Sequence, residues 1–146
     1  MNSTKLISTL FKPRQAATAL YATQAEAIQA KVFKRLIKDA ANTEWGLEYS
    51  YKDIKSYQDY QRVPLQTYEE IKPYVERLRA GEQNLLWPSE IRWFAKSSGT
   101  TNDKSKFLPV SKEALEDIHY RGGKDAAALY FRINPDSHFF SGKGLI

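Results

Sequence analysis

Phe94-Ala-Lys-Ser-Ser-Gly-Thr-Thr-Asn-Asp-Lys-Ser-Lys-Phe-Leu-Pro-Val110 is the stretch from which the fold is read. An apolar run, Ile91 to Ala95, leads into small hydroxyl residues around Gly99, and a second apolar run, Phe107 to Val110, leads out. The pattern predicts strand, polar loop, strand. Ser97, Ser98, Thr100 and Thr101 bring hydroxyls, Gly99 leaves backbone N–H groups approachable, and Lys104 and Lys106 bring positive charge. Such a set has the chemistry to surround a polyphosphate. The same composition also makes an ordinary turn, so the loop alone leaves both readings open. It is not a Walker A loop, because the lysine leads into Phe107-Leu108-Pro109, which extends the chain rather than opening a helix.

Upstream of the loop, Thr67 with Glu70 three residues on makes a capping box. The helix it opens carries Ile71, Val75 and Leu78 and ends at Gly81, with Pro73 late enough to bend or break it near Lys72. Glu69, Glu70 and Glu76 are not read as an acid/base pair, since Glu69 and Glu70 are sequence neighbours and point to different parts of the helix surface. Ser56 caps a short helix through Arg62, stopped by Val63-Pro64. Tyr49, Tyr51, Tyr57 and Tyr60 have the chemistry to stack bases or hold an aromatic acid, and equally to sit half-buried with their hydroxyls in water. Packing is the reading preferred.

Earlier still, Pro13 suits the first position of a long helix running to about Ala41. Leu20, Ile28, Val32, Phe33, Leu36, Ile37 and Ala40 keep one apolar stripe on it, which is read as core. Asn42 to Gly46 ends it, with Gly46 supplying a turn. Met1 to Arg14 has the spacing of a short amphipathic helix. The first acidic residue is Glu26, a composition shared with organelle transit peptides, although the pattern also serves a helix packed on the body of the protein. Downstream, Ser111 caps a helix with Leu115, Ile118 and His119 on one face, and Gly122-Gly123 weakens or interrupts it. Asn134 to Ser137 reads as a turn, and Leu145-Ile146 as a strand just beginning.

Composition narrows the function classes. At 146 residues, 42% hydrophobic and 13% aromatic, the chain has the length of one domain and enough apolar content for a core. The absence of cysteine excludes disulfides and thiolate metal sites, and no apolar run approaches the length of a bilayer span. His119 and His138 are the only histidines, so neither a histidine metal cluster nor a Ser/His/Asp arrangement can be argued, and His119 is read as a packed, hydrogen-bonded residue. The 22 basic and 17 acidic residues give a net charge of +5, but they are mixed along most of the chain, without the basic blocks of nucleic-acid arms. Lys31, Lys34, Arg35 and Lys38 come nearest and are read as a solvated helix face.

Ser97-Ser98-Gly99-Thr100-Thr101 followed by Lys106-Phe107-Leu108-Pro109 resembles the phosphate-binding loop of the auxin-responsive-promoter family of acyl acid amido synthetases, in the adenylate-forming superfamily. The flanks agree in order over roughly residues 30 to 146: Thr43-Glu44-Trp45-Gly46, Val63-Pro64-Leu65 with Tyr68-Glu69, Gly81-Glu82, and Leu86-Trp87. One position departs, Asp103 standing where the family usually has glycine. An acidic side chain beside a triphosphate is unfavourable unless it turns away or pairs with Lys104 or Lys106.

The resemblance implies an α/β fold, a helix-rich and incomplete N-terminal part of an adenylate-forming enzyme large domain, mainly helical over 1–80 and then strand, phosphate loop, strand and helix over 81–146. It implies a cytoplasmic parent ligase that uses ATP and Mg²⁺ to adenylate a carboxylic acid and joins it to an amine or amino acid. Ser97, Ser98, Gly99, Thr100, Thr101 and Lys106 would hold the ATP phosphates, whereas no catalytic residue and no protein metal ligand falls within the chain. The fragment alone is expected to be inactive, without nucleic-acid or membrane partners, and its strand edges invite self-association. The alternatives are a helical interaction domain in which the loop is merely a turn, and a basic nucleic-acid-binding module.

Overall fold

The architecture follows from where helices are capped and where they are forced to stop. The computed structural model describes residues 3–98 and 105–141. Helices α1 (Ser3–Leu10), α2 (Lys12–Thr23), α3 (Ala25–Ala40), α4 (Glu44–Glu48), α5 (Tyr57–Tyr60) and α6 (Tyr68–Arg79) come first. Strands β1 (Trp93–Lys96) and β2 (Phe107–Val110) follow, then a π-helical turn (Ala114–Tyr120) that runs into α7 (Arg121–Ile133). The protein is thus α/β and helix-rich, with one two-stranded sheet among the described residues.

Two compact units emerge, Met1–Ile28 with Glu116–Ile146, and Gln29–Leu115. In the first, Arg14 donates from Nε and Nη2 to the two carboxylate oxygens of Asp125, at 2.6 and 2.8 Å. Beside this fork, the Phe11 and Phe131 rings meet at 5.7 Å, and Thr4 is buried with its hydroxyl accepting the Phe140 N–H. The basic, acid-free N-terminal segment is therefore packed against α7, and Thr18 of α2 is buried as well.

The second unit holds two apolar clusters. Ile37, Ala40, Ala41, Tyr51 and Ile54 form one, flanked by Phe33, Trp45, Tyr49, Val63 and Trp87. Leu78, Leu85 and Ile91 form the other, with Phe94 of β1 against it, and Trp87 touches both. The tyrosine-rich stretch serves this packing: Tyr51 is buried, its hydroxyl accepts from Trp45 Nε1 at 3.1 Å, and Phe33 meets the edge of Tyr60 at 5.8 Å.

Several helix boundaries differ from expectation. The long helix from Pro13 is two, divided at Gln24 (φ −128°, ψ 23°). No glycine or proline marks Gln24, so periodicity reads straight through it. Of the expected core stripe, Ile37 and Ala40 are buried, whereas Leu20, Val32 and Leu36 are exposed. Pro73 does not break α6: it removes one N–H and leaves the helix otherwise continuous, while Arg77 and Glu82 close its end. There Gly81, at φ 101°, donates to the Leu78 carbonyl and Glu82 N–H to that of Arg77, a Schellman closure that requires glycine. Gly122 and Gly123 lie inside continuous α7. His119 is exposed beside Tyr120 rather than packed. Leu145 and Ile146 lie outside the described residues.

Candidate functional site

The two strands pair antiparallel with Lys96 opposite Phe107 and Trp93 opposite Val110. One step further toward the loop, Ser97 N–H donates to the Lys106 carbonyl at 2.9 Å. Lys106 N–H returns to the Ser97 hydroxyl oxygen, also at 2.9 Å. Ser97 therefore closes the base of the loop with both backbone and side chain. Its oxygen is occupied as acceptor while its own proton stays available for donation.

Because bonded and non-bonded pairs alternate in an antiparallel ladder, the Ser97–Lys106 pair makes Lys96–Phe107 a non-bonded one. Phe107 then turns its N–H and C=O outward, to the edge of β2. Both are met by one phenol: Tyr68, the first residue of α6, accepts from Phe107 N–H at 3.0 Å and donates to its C=O at 3.3 Å. Two residues along, Pro109 occupies the next outward position with no N–H to leave unpaired. The outer edge of β2 is thereby blunted.

Cations gather here. Lys106 Nζ stands 5.4 Å from the centroid of the Tyr68 ring, and the Arg79 guanidinium covers the Phe107 ring at 4.0 Å. At the far end of β2, Ser111 Oγ accepts from Ala114 N–H, and Glu113 accepts from Trp87 Nε1 at 3.2 Å and Ser89 Oγ at 2.7 Å. The Ser89 hydroxyl, with smaller help from Trp87, holds the Glu113 carboxyl below the ordinary glutamate range.

Of the six residues expected to hold phosphate, Ser97, Ser98 and Lys106 are described. Ser97 and Lys106 are brought together, and Ser98 is exposed beside them. Gly99, Thr100 and Thr101, with Asp103 and Lys104, lie outside the described residues. Sequence reasoning missed Tyr68 and Arg79 as neighbours of the loop. Nothing local announces either, although Tyr68 sits directly after the capping Thr67. Among the described residues no group of three or more His, Cys, Asp or Glu could hold a metal ion, and no helix is long and apolar enough to cross a membrane.

The motifs flanking the loop build its scaffold. Thr43 is fully buried; its hydroxyl donates to the Ala40 carbonyl at 2.7 Å, ending α3, and accepts from Gly46 N–H at 3.0 Å, starting α4. Glu44 takes a two-pronged bond from Arg77 at 2.7 and 2.6 Å, and Arg77 also binds Glu82. Arg77 holds both carboxyls below their usual range. Backbone bonds from Glu44 to Asn84 and from Trp45 to Leu85 tie the same turn to the link ahead of β1.

The profile of the GH3 family N-terminal domain matches residues 16–146. The chain is 31% identical over 94 residues to Jasmonoyl-L-amino acid synthetase JAR6 of Nicotiana attenuata, an alignment that spans 61% of this chain and 16% of that protein. It is 30% identical over 125 residues to Indole-3-acetic acid-amido synthetase GH3.15 of Arabidopsis thaliana, covering 85% of this chain and 20% of the relative. To Indole-3-acetic acid-amido synthetase GH3.17 of the same plant it is 30% identical over 99 residues, 64% of this chain and 16% of the relative. The chain thus spans about a fifth or less of these relatives. With the profile covering nearly all of its length, this chain belongs to the GH3 family, in its N-terminal domain.

Proposed function

We propose that this chain is the N-terminal part of a cytoplasmic, ATP-dependent ligase that activates a carboxylic acid as its adenylate and joins it to an amine or amino acid, and that the loop 97–106 grips the ATP phosphates. The observation that carries the reading is the Ser97–Lys106 pair, which fixes both ends of a hydroxyl- and lysine-bearing loop in a chain of this family. In the first half-reaction a carboxylate oxygen bonds to the α-phosphorus of ATP while the bond from that phosphorus to the bridging oxygen breaks, releasing pyrophosphate. In the second, the amine nitrogen bonds to the acyl carbon, AMP departs and the nitrogen loses a proton.

The part assigned to this chain is orientation and charge. Ser97, Ser98, Thr100 and Thr101 donate hydroxyls, Gly99 admits the backbone, and Lys106 offsets the charge that grows on the leaving pyrophosphate. Mg²⁺ would arrive on the phosphates, because the described residues offer it no carboxylate cluster. The residues from 1 to 146 supply the phosphate grip and are not expected to turn over by themselves.

Titrating the chain with ATP, inorganic triphosphate and adenosine tests the grip. ATP and triphosphate should bind alike, weakly, in about the millimolar range. Lys106→Ala should weaken both by about tenfold, the loss expected for one charge-assisted contact. Adenosine binding as well as ATP, or no effect of Lys106→Ala, would overturn the reading.

A further inference from the structure

Tyr68 reaches from the start of α6 to the exit of the loop and engages three groups there. Its hydroxyl oxygen accepts the Phe107 N–H at 3.0 Å, its proton goes to the Phe107 carbonyl at 3.3 Å, and its ring lies 5.4 Å from the Lys106 ammonium. A phenol acting as donor and acceptor toward a single residue does what a residue of a neighbouring strand would do. It continues the ladder where, among the described residues, the two-stranded sheet has no third strand on that side. Four residues hold Tyr68 itself in place. Thr67 and Glu70 form the capping box at its helix terminus, Glu70 Oε2 lying 2.6 Å from Thr67 N and 2.7 Å from Thr67 Oγ1. Val75 and Leu78 of the same helix are buried, which seats α6 in the core.

We propose that Tyr68 is a positioning residue for the phosphate loop: by fixing the backbone of Phe107 and the direction of the Lys106 side chain, it presents the lysine and the loop exit to bound phosphates. The inference rests on the phosphate-gripping reading above and adds to it a residue from outside the loop. Ser97 fixes the loop from the β1 side and Tyr68 from the open side of β2, so neither strand can twist the exit out of line. The other end of β2 is held independently through Glu113, Trp87 and Ser89, so a change at Tyr68 acts on the loop end alone.

Two variants divide the contributions. Tyr68→Phe removes the hydroxyl and keeps the ring; Tyr68→Leu removes both. Hydrogen exchange, residue by residue, reports the Phe107 amide, and titration with inorganic triphosphate reports the grip. Tyr68→Phe should speed exchange at Phe107 by about tenfold or more, leave amides near Leu78 and Leu85 unchanged, and weaken triphosphate by about threefold to tenfold, as expected for loss of one or two hydrogen bonds that act through the backbone. Tyr68→Leu should weaken triphosphate further, through the lost ring beneath Lys106. If Phe107 exchanges faster in Tyr68→Phe while triphosphate affinity stays at its wild-type value, the tyrosine is a structural brace and the positioning role falls. Triphosphate binding absent from the wild-type chain overturns the phosphate reading itself, and with it this role. Wild-type binding that is lost in Lys106→Ala but kept in Tyr68→Phe overturns only the latter.

Discussion

Gly46 shows how much a single side chain can decide. A Cβ built there would lie 2.0 Å from the Ala40 carbonyl oxygen and 2.9 Å from its carbon, both backbone atoms that cannot swing aside. The residue is fully packed at the α3 to α4 junction, where Thr43 bonds to both neighbours. Glycine is present because of close approach, not because of its freedom to turn: Gly46 sits inside α4 as its third residue, with ordinary helical backbone. The sequence marks the right residue for a different reason. Gly46→Ala should cost about 3 kcal/mol or more, or prevent folding, since overpacking against backbone cannot be relieved by a rotamer change. Chemical denaturation of the variant checks this, and a near-native midpoint would show that the junction can open.

At the scale of elements, helix starts were readable and helix ends less so. Ser56 and Asp59, and likewise Thr67 and Glu70, form complete capping boxes, because the side chains involved lie three residues apart and need nothing beyond their own turn. The split at Gln24 and the π-helical turn before α7 have no such local signature, and the continuity of α7 through two glycines is set by what Ala128 and Phe131 bury. Glu70 offers a test with a sign. The Thr67 hydroxyl, helped by its backbone N–H, lowers the Glu70 pKa from its ordinary 4.5. A depressed carboxyl stabilises the fold above that ordinary value and loses its effect as pH falls through the lower, folded one. Glu70→Ala should therefore lower the melting temperature at pH 7, by a deficit that shrinks as pH falls below about 4.5, read from thermal scans from pH 7 to pH 3. An equal loss at both ends would mean the box acts only through neutral hydrogen bonds.

For the whole molecule, the motifs spread from residue 43 to 110 assemble in one unit. Arg77 joins Glu44 of one motif to Glu82 of another, giving Nη1 and Nη2 to the first and Nε and Nη2 to the second. A guanidinium presents a paired N–H edge to each carboxylate; an ammonium offers each only single bonds. Arg77→Lys should lower the melting temperature at pH 7 almost as far as Arg77→Leu, and the deficit of both should shrink as pH falls below about 4.5, the ordinary value from which Glu44 and Glu82 are depressed. Full rescue by lysine would show that charge, not fork geometry, holds the motifs together. The chain by itself determined its helix caps, its Schellman turn at Gly81, its two strands and the chemistry available in the loop between them, because each depends on residues within a few positions of one another. Only the tertiary structure decided that Thr43, Gly46 and Arg77 form the scaffold, that β2 is held at its edge by Tyr68, and that Lys106 lies over an aromatic ring. Those relations join residues as far apart as Tyr68 and Phe107, and in folding the entropy lost by closing such long loops is offset only once the helices have packed and buried their apolar faces.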